Sequence, residues 1–504
     1  MNSLNRRQFI QRTARIGALC AAAPAALAQS PTIKRPKPLV GIQIAAHSFF
    51  DEGIGHCLDL LRDSAGVNAL FVSTHSYYGA MGQPLQVMAD HGVPLRDNSK
   101  RRLRRVWVNH HEPYFHDTSL RHYETRKDED YAGRDLLAEL ANPARERGMK
   151  LYARWYQASK RATPWIRNWS SVLERDVRGE PGDRPCWNHP DYRAWLVATF
   201  RDLFENNPLD GLQYGAERQD PLSQSIFHGT PPVCFCEHCR RRAKERGLDI
   251  EKARQGFSAV HDYCEGLRKQ PARPVDGPFT GLIRLLLTNP EMLAWNYEWF
   301  HAGEEVHRLV YDTVRKARPG AQAGRHVDHQ QSSWSLIYRA CLPYAEMAQD
   351  ADFLKLILYT DILGPRLREH YLDRLQQTVF SDLSLEHSLA VFYSVFGHDA
   401  AKSPTLTQLQ KDGFGAEYVF RETKRCVDGV QGRASTYAGI GLDIPSGKGW
   451  GDKKWIGDPA EIEASVAAAF RAGAQGIVAS REYEEISVPS LRVVGQAARA
   501  ASKS

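Results

Sequence analysis

Beyond residue 28 the sequence has no apolar run of about 18 residues, the length a membrane-crossing helix needs, so no span is expected. No Gly-x-Gly-x-x-Gly follows its first strand-like run, which disfavours a dinucleotide-binding sheet. It has no internal repeat and no low-complexity linker. At 504 residues it is too long for one compact sandwich and suits one elaborated barrel or two domains. Basic character is also thin. Four of the arginines behind the net charge of +7 (Arg6, Arg7, Arg12 and Arg15) lie in the first 28 residues, leaving about +3 for the rest. The basic run Lys100–Arg105 stands alone and reads as a solvated face or loop, so no nucleic-acid partner is expected.

What the N-terminus does have is the order of an export signal. Arg6-Arg7 is followed by Phe9 and Ile10, then a modest apolar stretch from Ile16 to Leu27, then the small-x-small site Ala26-Leu27-Ala28. Residues 1–28 are therefore expected to be a twin-arginine signal peptide, which carries a folded protein to the periplasm or beyond. Of the nine cysteines, Cys20 would leave with that segment.

Eight short β-rich runs follow: Val40–Ala46, Ala69–Thr74, Lys150–Tyr156, Gly211–Gly215, Ala321–Val327, Phe353–Tyr359, Ala434–Leu442 and Gly476–Ala479. Helical patterns at Tyr192–Asn206, Trp295–Lys316 and Pro459–Ala472 separate several of them. Eight strands alternating with helices predict an α/β fold, a (β/α)8 TIM barrel over residues 38–500. The uneven spacing predicts long βα-loop insertions at about 76–148, 218–300 and 362–430, on the face where barrels keep their sites.

Polar residues gather at one end of each predicted strand. The first two runs end at His47 and His75, the third carries Arg154, and the fourth ends at Tyr214, Glu217 and Arg218. The fifth ends in His326, Asp328 and His329. The sixth carries Lys355 and ends at Tyr359, and the seventh ends at Asp443. The eighth runs into Arg481, Tyr483 and Glu485. Eight strands delivering such groups in phase predict a functional cleft.

Glu217 and Asp443 would face each other across the barrel mouth. Two facing carboxylates are what glycoside hydrolysis requires: one protonates the leaving oxygen, the other attacks the sugar or activates water. Glu484 or Glu485 could replace Asp443. Arg218, His326, His329, Lys355, Arg481 and Tyr483 would position substrate, with His47, His75, Arg154, Tyr214, Asp328, Tyr359 and Glu485 lining the cleft. No cofactor is required for that chemistry. Alternatively, His326, Asp328 and His329 could bind a metal with His47 or His75 in a metal-dependent isomerase, lyase or hydrolase, or the barrel could bind carbohydrate without turnover. Cys234, Cys236 and Cys239 follow the fourth strand; with Cys186 as a fourth ligand they suit a structural zinc, and a disulfide with a spare thiol is the alternative.

The segment Cys186-Trp-Asn-His-Pro-Asp-Tyr-Arg193, followed by a helix and Asp210-Gly211, resembles clan A-like glycoside hydrolase barrels, among them uncharacterised secreted bacterial glycosyl hydrolases. The cysteine-rich segment after strand four is similar to that of the family 42 β-galactosidases. The resemblance implies an acid/base at the end of strand four, Glu217, and a nucleophile at the end of strand seven, Asp443, acting on a carbohydrate. Two departures stand out. The clan's Asn-Glu is Ala216-Glu217 here, and its nucleophilic Glu is replaced by Asp443.

Overall fold

A computed structural model describes residues 37–77, 89–93, 104–123, 131–269, 274–443 and 456–502. The twin-arginine segment and residues 100–103 of the basic run lie outside them. The unit Pro38–Ser504 is built around eight parallel strands that close on themselves. These are β1 (Leu39–Ala45), β2 (Ala69–Ser73), β3 (Lys150–Tyr156), β4 (Gly211–Gly215), β5 (Gln322–Val327), β6 (Phe353–Leu358), β7 (Ser435–Gly441) and β8 (Gly476–Ser480). Each pairs with the next, and β8 returns to β1 through Leu39 opposite Gly476. The (β/α)8 barrel expected from the sequence is the observed fold.

The helices start where their first residues allow. Pro190–Asn206 begins two residues before the predicted Tyr192 because Pro190 needs no amide partner at the first helical position and the His189 side chain accepts from the Asp191 amide. Pro290 starts the 28-residue helix Pro290–Ala317 for the same reason. Between β4 and β5 lie the helices Glu237–Glu245, Ile250–Lys269 and Pro278–Thr288; between β6 and β7 lie Leu385–Phe396, Leu406–Asp412 and Ala416–Val430. Among the described residues, no helix is long and apolar enough to cross a membrane.

Alternation along the strands sends every second side chain into the barrel. Near the N-terminal ends of the strands the interior is aromatic. Phe71 stacks on Tyr152 (centroids 4.8 Å apart), Phe353 stacks on Tyr437 (4.9 Å), and Tyr152 meets Phe353 edge-on (5.8 Å). Glycines make room for this floor. A Cβ on Gly324 would fall 2.3 Å from the Phe353 ring, and one on Gly211 would fall 2.4 Å from the Gln322 carbonyl and 2.6 Å from Tyr152. Gly324→Ala is therefore expected to cost about 1–3 kcal/mol of stability through overpacking, read by chemical denaturation. An unchanged midpoint would show that the floor can shift.

Candidate active site

Two residues further along the strands, the interior turns from aromatic to polar. Arg154 of β3 makes two hydrogen bonds to Glu482, just past β8, at 2.8 and 2.6 Å, and both side chains are buried. Lys355 of β6 is buried and donates to the Tyr359 hydroxyl at 2.7 Å. Burial, and then the nearby charge of Arg154, push the Lys355 ammonium well down. Gln43 of β1 donates to the Arg481 carbonyl at 2.6 Å, and Gln213 of β4 reaches Gln43 and His326, each at 3.4 Å. Such groups in a barrel interior are satisfied only through one another, which fixes their orientations.

The polar interior opens at Glu217. Its side chain is 46% exposed, and its Oε1 lies 3.1 Å from His326 Nε2. The Tyr156 hydroxyl lies 3.1 Å from Nδ1 of the same ring. The surrounding walls push the Glu217 carboxyl up, but the His326 hydrogen bond and charge and the Arg366 and Arg184 charges outweigh them and hold it at about 2. Burial, then the Lys355 charge, take His326 down to about 4, so the imidazole is neutral at neutral pH and its Nε2–H can donate to Glu217.

Asp328, just past β5, behaves oppositely. It is buried and accepts from the Gln330 amide. Burial and the Glu217 charge push its carboxyl up to about 7. The mouth thus holds one carboxylate that stays ionised and one carboxyl that keeps its proton to near neutrality.

Other anticipated residues have partners apart from Glu217. Asp443 accepts from the Gly457 amide at 2.7 Å, the Ser487 amide at 2.6 Å and the Ser490 hydroxyl at 2.9 Å. It ties the end of β7 to the start of the last helix, Val488–Ala501, so the expected pairing with Glu217 gives way to another. Among the described residues, Arg218 pairs with Glu174 rather than with Glu217. It is buried and lies 4.0 Å above the Trp187 ring. Tyr214 points away from the barrel interior, stacked on Trp155 at 5.3 Å with His307 against its edge at 5.0 Å, because it is one residue out of phase with Gln213. Tyr483 donates to Glu52 at 2.7 Å, Glu485 pairs with Arg481 at 2.9 Å, and His47 lies 3.7 Å from Glu484. His329 packs against Trp334 and Tyr359, its ring nitrogens without hydrogen-bond partners among the described residues. His75 belongs to a separate cluster of histidines beyond β2.

Sequence reasoning left Glu482, Gln43, Gln213 and Arg366 out of the site. The two glutamines carried a signal, since each is a polar residue at the inward phase of an otherwise apolar strand.

The four anticipated cysteines converge. Cys186 Sγ lies 3.5 Å from both Cys239 Sγ and Cys236 Sγ, and all four sulfurs fall within 4.8 Å of one another. Four thiolates around a tetrahedral zinc at about 2.3 Å stand about 3.8 Å apart, so the set fits that ion. The Arg175 and Asn188 amides and the Asn188 side chain donate to the sulfurs at 3.3–3.4 Å, as partners of thiolate ligands do.

No protein-family model matches the chain, and no curated protein matches it. Among solved structures, the β-galactosidase from the Antarctic haloarchaeon Halorubrum lacusprofundi aligns with a TM-score of 0.51 at 11% identity, over 92% of this chain and 58% of that one. The α-L-fucosidase isoenzyme 2 from Paenibacillus thiaminolyticus aligns at 0.46 and 10%, over 92% and 49%. The cold-adapted β-galactosidase from Rahnella sp. R3 aligns at 0.44 and 14%, over 94% and 56%. The chain spans about half to three-fifths of the length of these proteins, and at such identity the likeness is one of fold.

Proposed function

We propose that the protein is a glycoside hydrolase whose chemistry is carried by Glu217 and Asp328. The supporting observation is the opposed protonation of these two groups, Glu217 held at about 2 and Asp328 pushed up to about 7, at the ends of neighbouring strands. Cleaving a glycosidic bond needs one carboxyl with a proton and one without, and environments that drive two carboxyls apart assign the roles. Asp328 gives its proton to the leaving oxygen as the C–O bond breaks. Glu217 attacks the anomeric carbon, or takes a proton from the water that does. His326 holds the Glu217 carboxylate through Nε2. This reverses the role of Glu217 that the resemblance implies, from resting acid to resting base or nucleophile.

The assignment predicts a pH profile. Turnover needs Glu217 ionised, above about 2, and Asp328 protonated, below about 7, so kcat/KM on an aryl-glycoside panel falls as pH rises through about 7. Asp328→Asn abolishes that alkaline limb along with most of the rate. A profile flat across that region would remove Asp328 from the mechanism. The same shift has a sign for stability. A carboxyl favoured neutral by the fold adds stability below its unfolded value of 3.8, and that stability is lost as pH climbs to about 7.

The four cysteines would hold a structural zinc that pins the loop after β4 to the segment before Pro190–Asn206, through Cys186. The leading 28 residues would export the folded, metal-loaded chain. An Arg6→Lys/Arg7→Lys variant should then stay in the cytoplasm by cell fractionation, and unchanged export would remove the twin-arginine reading.

A further inference from the structure

Outside the mouth, three histidines meet beyond the end of β2. His75 follows the strand, and His110 and His122 come from the segment between β2 and β3. His75 Nε2 lies 2.9 Å from His110 Nε2. The His110 and His122 rings stack with centroids 4.1 Å apart and planes 10° from parallel. One nitrogen from each ring falls within 4.8 Å of the others. Trp155, Trp195 and Phe115 form the walls.

The groups behind the rings fix which nitrogens are free. Asp202, buried on the helix Pro190–Asn206, lies 2.8 Å from His110 Nδ1 and also accepts from the His111 amide at 2.9 Å and the Asn206 side chain at 2.9 Å. A carboxylate only accepts, so His110 Nδ1 carries the proton and its Nε2 turns a lone pair toward His75. The Thr74 hydroxyl lies 2.8 Å from His75 Nδ1 and can accept its proton, the arrangement that leaves a lone pair on Nε2. Both ring nitrogens of His122 are buried and without a hydrogen-bond partner among the described residues. An imidazole carries at least one N–H, and leaving both nitrogens unmet is costly. A chain of hydrogen bonds from Thr74 through His75 and His110 to Asp202 would satisfy two of the histidines and leave the third unexplained.

We propose that His75, His110 and His122 form a binding site for a divalent first-row transition-metal ion, with Asp202 orienting His110 from behind. The ion would take one lone pair from each ring and so give His122 its missing partner. An all-nitrogen donor set selects zinc-like ions over magnesium or calcium, which prefer oxygen. Carboxylates behind ligating histidines are the usual outer partners in such sites. The proposal is independent of the glycosidase reading and of the cysteine cluster. Its effect would be to fasten the segment carrying His110 and His122 to β2 and to the helix bearing Asp202.

The test is metal content and X-ray absorption on the full chain, loaded with Zn2+ and dialysed. The expected spectrum contains an ion with nitrogen ligands only. His122→Phe should remove that ion and leave any sulfur-ligated ion in place. Cys236→Ser should leave the nitrogen-ligated ion in place. Asp202→Asn keeps all three ligands and should weaken binding by about 10-fold or more, which covers the case where His122→Phe does not fold. His116→Ala, at an exposed histidine of the same segment that pairs with Asp117 and not with Asp202, should leave the metal content unchanged. Wild-type protein with no nitrogen-ligated ion would overturn the proposal, and so would a His122→Phe protein that retains one.

Discussion

Glu217→Gln is expected to lower kcat on glycosides by about 10³-fold while leaving substrate affinity within a few fold. The amide keeps the shape of the carboxylate and can still accept from His326 Nε2, 3.1 Å away in the wild type. What it loses is the charge. That loss has a second readout which a merely structural residue would not give. The Glu217 charge is one of the causes that raise the Asp328 carboxyl, so removing it should move the alkaline limb of the residual activity to lower pH. Turnover close to wild type would rule out the proposed chemistry. A slow variant with an unmoved limb would leave Glu217 a role but separate it from Asp328.

Arg154→Ala should be the most destabilising change in the mouth, by about 3–5 kcal/mol in chemical denaturation, because it strands a buried carboxylate. Glu482 is 1% exposed, and both its oxygens bond to Arg154. The cost belongs to the broken pair and says little about what the intact pair contributes. An Arg154→Met/Glu482→Leu double variant is therefore expected to recover most of the stability and little of the activity, since the polar interior around Lys355 would be lost. A single variant within about 1 kcal/mol of wild type would mean that water reaches Glu482.

The strands were legible because each is buried on both sides and reads as a short β-rich run; their observed bounds differ from the expected ones by a residue or so, as at Leu39–Ala45 against Val40–Ala46. His326, Arg154 and Lys355 were legible by phase, standing at strand positions that point inward. Tyr214 was misread because one step along a strand reverses the face. Arg218 and Asp443 were misread because they lie past the strand ends, where the alternation stops and partners such as Glu174 and Ser490 come from distant segments. The cysteine cluster was legible from Cys234, Cys236 and Cys239 standing close in sequence. The histidine cluster beyond β2 was not, because the sequence between His75, His110 and His122 offers no strand or helix period to follow. The opposed protonation of Glu217 and Asp328 depends on burial and neighbouring charge, which sequence does not carry.

Among the described residues, the rings of Phe71, Tyr152, Phe353 and Tyr437 give the barrel interior a packed base, like that of a cup. Strand geometry puts each inward layer roughly 7 Å above the last, so the floor and the Arg154–Lys355 layer together close the lower half of the bore. A polymer cannot thread through such a vessel. If the protein acts on glycosides as proposed, a sugar released beside Glu217 would leave by the mouth through which it entered and compete there with the next substrate. Inhibition by product should accordingly be competitive with substrate.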